Sequence, residues 1–472
     1  MMKLQSKIGV LFLAGESWWE AGCCDATEGL YAGFIQTVAQ DVATVIAALR
    51  QEFTVVTSGL VHTVAEALAE ARRFDEADVD AIIFCPMIWT NDPPVIAFVE
   101  NARRVPLLLW SYSPYVGLLQ DYTIPAWLRS SGPVSVQQSA NIFRRYGWDY
   151  ETAFGNESEP AAMDVLRDFA RATAVKRSLR GTRIALLPAP CRVVVSTWVD
   201  EFFLRETFGV EIEYVSVDTY AALVRAVPDA EARAYVDDLK TRYPVVGVTE
   251  DELLQSARQA LAFVCLAEER NLSGIALEDF DTTLCRALGF RPHLTHPRLS
   301  ELGCTVGMEA DVLGILSTLV LGRLAGRMGM FNEFFSIDRY ENTVLMGHPG
   351  HGELSFGEPG TYHITRDLEI DPSRPAGTWV SYRAKPGPMT FLNFTPARGA
   401  LKSVVFTGES LPGPRMMEGY SHMLIRPDGN ADTLFRRIME LGLIQHWGTV
   451  HSHVAARLRM LARLLGLNLV EL

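Results

Sequence analysis

Paired cysteine motifs are missing from this chain. Its seven cysteines, Cys23, Cys24, Cys85, Cys191, Cys265, Cys285 and Cys304, are odd in number and include no CxxC spacing, which argues against a disulfide scaffold. Most sit in apolar or helix-like runs and read as reduced core residues of a cytoplasmic protein. Long apolar runs are scarce too. The longest uncharged one, Val312 to Gly322, stops at Arg323, far below the length that spans a bilayer, so no membrane association is expected. The apolar stretch Ile8 to Ala14 is too short for a signal peptide, has no convincing cleavage site after it, and reads as a first buried strand. Basic clusters are absent as well: the formal charge is −13 and the Lys and Arg residues are scattered, leaving no footprint for nucleic acid. A small polar substrate fits this surface better than a polyanion. No internal repeat or low-complexity segment is present.

What remains is material for a large enzyme. At 472 residues, 48% hydrophobic and 21% charged, the chain holds enough apolar side chains for two or three domains. Ile8–Ala14, Thr54–Ser58, Ala81–Cys85 and Pro106–Trp110 are apolar on consecutive residues, as parallel strands buried on both faces require. Thr37–Arg50 and Val64–Arg73 between them carry helical spacing, so residues 1–175 read as an α/β layer. The polar stretch Lys176–Gly181 reads as a linker into a second α/β set over 176–330. That set has strands Arg183–Pro188, Val210–Val217 and Gly274–Leu277, and helices Thr197–Phe208 and Asp251–Glu269. From 331 to 472 the pattern changes to short, partly alternating segments separated by Gly and Pro. Leu354–Phe356, Thr361–Thr365, Thr378–Arg383, Met389–Phe394, Leu401–Phe406 and Ser421–Ile425 predict an antiparallel sheet or small barrel. Helices Ala431–Leu441 and Val454–Leu465 and a last strand near Asn468–Val470 follow. The expected fold class is thus α/β, with two consecutive Rossmann-like domains followed by a C-terminal antiparallel β-barrel with terminal helices.

Four residues between 309 and 446 suit a metal-bound, proton-moving site. Glu309 lies just ahead of an apolar helix, where a carboxylate is favoured by the helix dipole and a plain helix-start acid is the competing reading. Glu333 is embedded among large apolar side chains, a costly place for an acid without a partner or a metal; Asp338 and Asn332 compete with it. His348 ends a strand-like segment and opens a turn, with His351 as its rival. His446 stands at the entry to the last helical region, with His451 and His453 further on. If these four converge, two carboxylates and two imidazoles would cage one divalent cation. Carboxylates favour hard ions and imidazole the later transition metals, so the mixed set points first to Mn2+, with Co2+, Mg2+ and Zn2+ as alternatives. An octahedral ion so held keeps two positions open, enough for a sugar with a carbonyl beside a hydroxyl.

The strings GMEADV (307–312), FNEFF (331–335), TVLMGHPG (343–350) and QHWGTV (445–450) resemble, in order, the metal-site motifs of the L-arabinose and L-fucose isomerase superfamily. The segment GPVSVQQSAN (132–141), followed by RYG (145–147), is similar to that family's Gln-Ser-Ala element, and the resemblance covers nearly the whole chain. It implies a manganese-dependent aldose–ketose isomerase working through an ene-diol, in a homo-oligomer, trimeric or hexameric, with shared active sites. By the same resemblance Glu309, Glu333, His348 and His446 are the metal ligands, and the two glutamates are also the acid–base pair. The chain departs from the family in four places: the 15 positions from Glu333 to His348 are slightly fewer than is typical, Glu-Phe-Phe replaces Glu-Asp-Tyr at 333–335, Gln445 stands where a second histidine is common, and Asn141 replaces a histidine. These changes bear on which sugar is used more than on the reaction. Glu16, Trp19, Trp89, Gln138 and Asn141, after the first and third strands and in the Gln-Ser-Ala element, are the candidate sugar contacts, the alternative for the tryptophans being packing at a subunit interface. A non-catalytic sugar sensor remains the competing function, and a metal-dependent hydrolase or lyase ranks third.

Overall fold

The computed structural model describes residues 4–16, 28–366, 375–417 and 419–472, and the chain divides into two compact units, 4–177 and 178–472. In the first unit, strands β1 (Lys7–Leu13), β2 (Thr54–Val61), β3 (Ala81–Pro86), β4 (Leu107–Tyr112) and β5 (Glu151–Gly155) form one parallel sheet in the order β2-β1-β3-β4-β5. The consecutive apolar residues of β1 and β3 are wholly buried, as strands covered on both faces must be. The helix Val64–Glu76 begins with a reciprocal cap between Thr63 and Glu66 and carries near its end Phe74, buried beneath β1.

The second unit opens with β6 (Arg183–Leu187), β7 (Glu211–Tyr214), β8 (Val245–Val246), β9 (Gly274–Leu277) and β10 (Thr305–Gly307). All but β8 align in parallel in the order β10-β9-β6-β7. Next come β11 (Met330–Asp338), β12 (Thr343–His348), β13 (His363–Arg366), β14 (Thr378–Ser381), β15 (Gly387–Ala397), β16 (Ala400–Ser410), β17 (Ser421–Pro427), β18 (Trp447–Val450) and β19 (Leu469–Glu471). Six of these close on themselves, β15-β18-β11-β12-β17-β16 and back to β15, as an antiparallel barrel. Closure pairs each barrel strand on both sides over part of its length, and β19 adds in parallel to β16. The parallel sheets and the barrel agree with the α/β-plus-barrel reading, while the central sheet and the barrel share a single compact unit.

Three local expectations are corrected. Lys176–Gly181 holds the boundary between the two compact units but is largely helix rather than an irregular linker: the helix Pro160–Leu179 runs into it, and Lys176 and Arg177 occupy its last turn, where cations face the carbonyl end of the dipole. The expected helix Thr197–Phe208 is broken, because Asp200 accepts from the Phe202 and Phe203 N–H groups at 2.9 and 3.2 Å and starts a new helix at Glu201. Leu354–Phe356 is a 3-10 turn rather than a strand, begun by Glu353 accepting from Ser355 N–H at 3.0 Å.

The helix Val312–Ala325 joins the two halves of the second unit. It is apolar all round and buried nearly throughout, with β9 and β10 on one side and β15 and β18 on the other. Two glycines admit it. A Cβ on Gly307 would lie 2.7 Å from Ile315, and one on Gly448 would lie 2.4 Å from the Ser317–Thr318 backbone. The start of this helix is thereby pinned beside the strand that follows His446.

Candidate metal centre

The turn between β10 and this helix is made by two consecutive non-glycine residues in the left-handed region, Glu309 at φ 57° and Ala310 at φ 52°. Such conformations cost on the order of 1–3 kcal/mol each and persist only where the surroundings impose them. Here Ala310 N–H donates to Leu277 O at 2.9 Å, and Glu309 N–H donates to the buried Asp279 carboxylate at 3.1 Å. Both partners come from the carboxyl end of β9, the end at which parallel sheets present ligand sites. Asp311, wholly buried, then caps the helix by accepting from Gly314 N–H at 3.0 Å. The helix-start acid is therefore Asp311, and Glu309 is freed to project from the turn.

Two histidines meet it. His348 ends β12, and His446 immediately precedes β18, not a helix as its sequence context suggests. Their Nε2 atoms lie 3.3 Å apart, and His446 Nε2 is 3.4 Å from Glu309 Oε2. Each ring is turned by its other nitrogen: His446 Nδ1 lies 2.8 Å from Asp311 Oδ2 and His348 Nδ1 lies 2.7 Å from Pro349 O. Phe331, on β11, packs against both rings, with centroids 5.0 Å from His348 and 4.5 Å from His446. Gln445 donates from Nε2 to Glu309 Oε2 at 3.1 Å. Among the described residues Glu309, His348 and His446 form the group whose ligand atoms all lie within 4.8 Å of one another.

The electrostatics follow from burial. The Glu309 carboxyl is pushed up to about 7, first by desolvation and then by the neighbouring charges of Asp279 and Glu333, against the pull of His446 and Gln445. Burial lowers His348. At His446 burial acts downward too, but the Asp311 carboxylate outweighs it and the net effect is upward. Asp279 is held down at about 2: burial opposes ionisation, and contacts with His293, the Glu309 N–H and Arg291 overcome it.

The remaining candidates fall into three groups. Glu333 sits on β11 opposite Gly347, two residues beyond Phe331 and so on the same side of the strand, and its charge bears on Glu309, His348 and His446 alike. It is not within the close three-residue group. Its rivals are occupied elsewhere: the Asn332 amide donates to Trp447 O at 3.2 Å, and Asp338 accepts from Tyr340 and Glu341 N–H groups in the next turn. His351 hydrogen-bonds Pro292 O at 2.9 Å, and His451 packs on Phe356. In the first unit, Trp89 donates from Nε1 to Gln138 at 2.7 Å, Gln138 donates to Asp92 at 2.8 Å, Asn141 is exposed on the helix Gly132–Arg145, and Glu16 is half-buried. Trp19 lies outside the described residues. Sequence reasoning misses Asp311 and Asp279. The first carries a signal, an Asp directly ahead of an apolar helix; the second is brought in from β9 by tertiary structure alone.

No family model matches this chain. Among curated proteins it is 23% identical over 396 residues to a sulfoquinovose isomerase of Alkalicoccus urumqiensis, covering 83% of this chain and 86% of that one. It is 21% identical over 399 residues to sulfoquinovose isomerases of Priestia aryabhattai and Priestia megaterium, covering 83% of this chain and 85% of each. A solved structure, the periplasmic binding protein of the arabinose ABC transporter from Shewanella sp. ANA-3, is 12% identical over 68% of this chain and 87% of its own, with a TM-score of 0.15, too low to argue a common fold. The relatives support an isomerase, and they agree with the resemblance of its motifs to the arabinose and fucose isomerase superfamily.

Proposed function

We propose that this chain is a divalent-metal-dependent aldose–ketose isomerase acting on a monosaccharide, with manganese as the first expectation. The observation that carries the reading is the meeting of the two imidazoles. With Nδ1 of each ring bound to an acceptor, each neutral ring presents a bare Nε2 lone pair, and these face one another at 3.3 Å beside a carboxylate oxygen. Three acceptors converging in a buried site repel unless a cation lies among them. A proton relieves one such contact, whereas a dication relieves all three, and the Glu/His set suits manganese.

Glu309, His348 and His446 would hold the ion, with Glu333 as the fourth donor. The ion when bound supplies charge stabilisation to the sugar oxygens at C1 and C2. The proton chemistry belongs to the chain. A glutamate accepts the C2 proton of the open-chain aldose, and a carboxyl returns a proton to C1 as the ketose forms. Burial holds the Glu309 carboxyl up at about 7 in the metal-free chain, and with a dication bound it would return to the carboxylate that ligation and proton acceptance both need. Phe331 closes one side of the site against water. Trp89, Gln138, Asn141, Glu16 and Trp19 are the proposed sugar contacts, and a cytoplasmic homo-oligomer with shared sites is the proposed form. Because the relatives are sulfoquinovose isomerases, a sugar with an anionic substituent leads the substrate candidates.

The test is to strip the protein of metal, restore manganese, and follow ketose formation over a panel of neutral, acidic and sulfonated aldoses. Turnover that requires the metal and disappears in Glu309→Gln is expected. Manganese binding without turnover of any aldose would favour the sensor reading instead.

A further inference from the structure

One buried ion cluster borders the metal centre without contributing a ligand to it. Asp279 is only 3% exposed, Arg291 1% and His293 0%. One Asp279 oxygen accepts from the backbone of Glu309 at 3.1 Å, while the other stands 3.3 Å from His293 Nε2 and 3.9 Å from Arg291 Nη1. Pro292, between those two, offers its carbonyl to His351 Nε2 at 2.9 Å. His351 belongs to the loop that leaves His348, and a Cβ on Gly350 in that loop would lie 2.7 Å from Met308 and 3.4 Å from His293. A single strap, 291–293, therefore touches the support of Glu309 on one side and the loop behind His348 on the other. The strap is itself anchored, since Arg291 N–H donates to Pro375 O at 3.1 Å.

Such a cluster is expensive as mere stabilisation. A buried charge pair is often no better for folding than apolar side chains of similar volume. Its placement answers a different need, because Glu309 is held in a left-handed conformation that its own backbone disfavours. We propose that Asp279 is a positioning residue for the metal centre: its hydrogen bond to the Glu309 backbone, braced by the Arg291–His293 strap, fixes the Glu309 carboxylate in register with His348 and His446. The inference rests on the isomerase reading and deepens it by naming what sets the affinity of the site.

The experiment is a manganese titration of the metal-free full chain, read by loss of the free-ion electron paramagnetic resonance signal, alongside metal-free melting temperatures. Asp279→Asn is expected to weaken manganese binding about 10–100-fold, the range for partners that orient ligands, and to alter the fine structure of the bound-ion spectrum. Glu278→Gln, a similarly buried carboxylate one residue away, is expected to stay within about twofold of wild type in the same titration. Should Asp279→Asn fail to fold, the pair Asp279→Leu with Arg291→Met removes both charges together and carries the same expectation. Wild-type affinity in the folded Asp279 variants, or an equal loss in Glu278→Gln, overturns the inference alone. Absence of manganese binding by the wild-type chain overturns the isomerase reading and this inference with it.

Discussion

Glu309→Gln should make the metal-free protein more stable while abolishing its metal site. The carboxyl is 14% exposed and is raised from an ordinary 4.5 to about 7. Every tenfold change in proton affinity corresponds to about 1.4 kcal/mol, so the whole rise amounts to about 3 kcal/mol. Because the folded value is raised, the native state keeps a proton that the unfolded chain releases. The stability contribution is complete below 4.5 and is lost as pH climbs through 7. Glutamine cannot ionise and escapes that loss, yet its amide oxygen still accepts from Gln445. Metal-free variant and wild type should therefore melt together near pH 4.5. At about pH 8 the variant should melt about 6 °C higher, at about 2 °C per kcal/mol for a unit of this size. Manganese at about a hundred times its dissociation constant should return about 2.7 kcal/mol to wild type and nothing to the variant, closing the gap. Differential scanning calorimetry at the two pH values, with and without manganese, reads both proteins in every state. A variant no more stable than wild type at the higher pH, or one stabilised by manganese as strongly as wild type, would refute the reasoning.

Two further perturbations separate ligand orientation from packing. Asp311→Asn retains a good helix cap but removes the anion beside His446, so manganese affinity measured by calorimetric titration should fall about 10–100-fold; Asp311→Ala should cost about 1 kcal/mol more in stability through the lost cap. Gly448→Ala should destabilise by about 1–3 kcal/mol and weaken metal binding together, since the new methyl meets the Ser317–Thr318 backbone, whereas Gly429→Ala, with open space around it, should leave denaturant midpoints unchanged.

The sequence disclosed the elements of this fold better than their junctions. Buried parallel strands declare themselves by unbroken apolar runs, and Gly274–Leu277 is found where its pattern placed it. Lys176–Gly181 misleads because the same basic residues suit a polar linker or the last turn of a helix, and only packing decides between them. At the site, Glu309, His348 and His446 are visible through local context and motif order, and the structure brings their ligand atoms together. The left-handed backbone of Glu309 is not visible, since no local signal predicts two non-glycine residues in that region. Asp279 is hidden for a different reason: it lies 30 residues from the Glu309 backbone it holds, and only the alignment of β9 with β10 brings them together.

The helix Val312–Ala325 has a consequence for the order of assembly. Apolar on every side, it has no face that water would tolerate and gains its stability only when the parallel sheet and the barrel have both closed on it. Asp311 at its start and the Gly448 strand against its flank determine where His446 stands relative to Glu309. Incomplete chains, such as those still emerging during synthesis, thus carry Glu309 and His348 in sequence yet lack the geometry that brings them to His446. If the chain is the metal enzyme proposed above, metal capture would follow the meeting of the two halves of the unit and so report it.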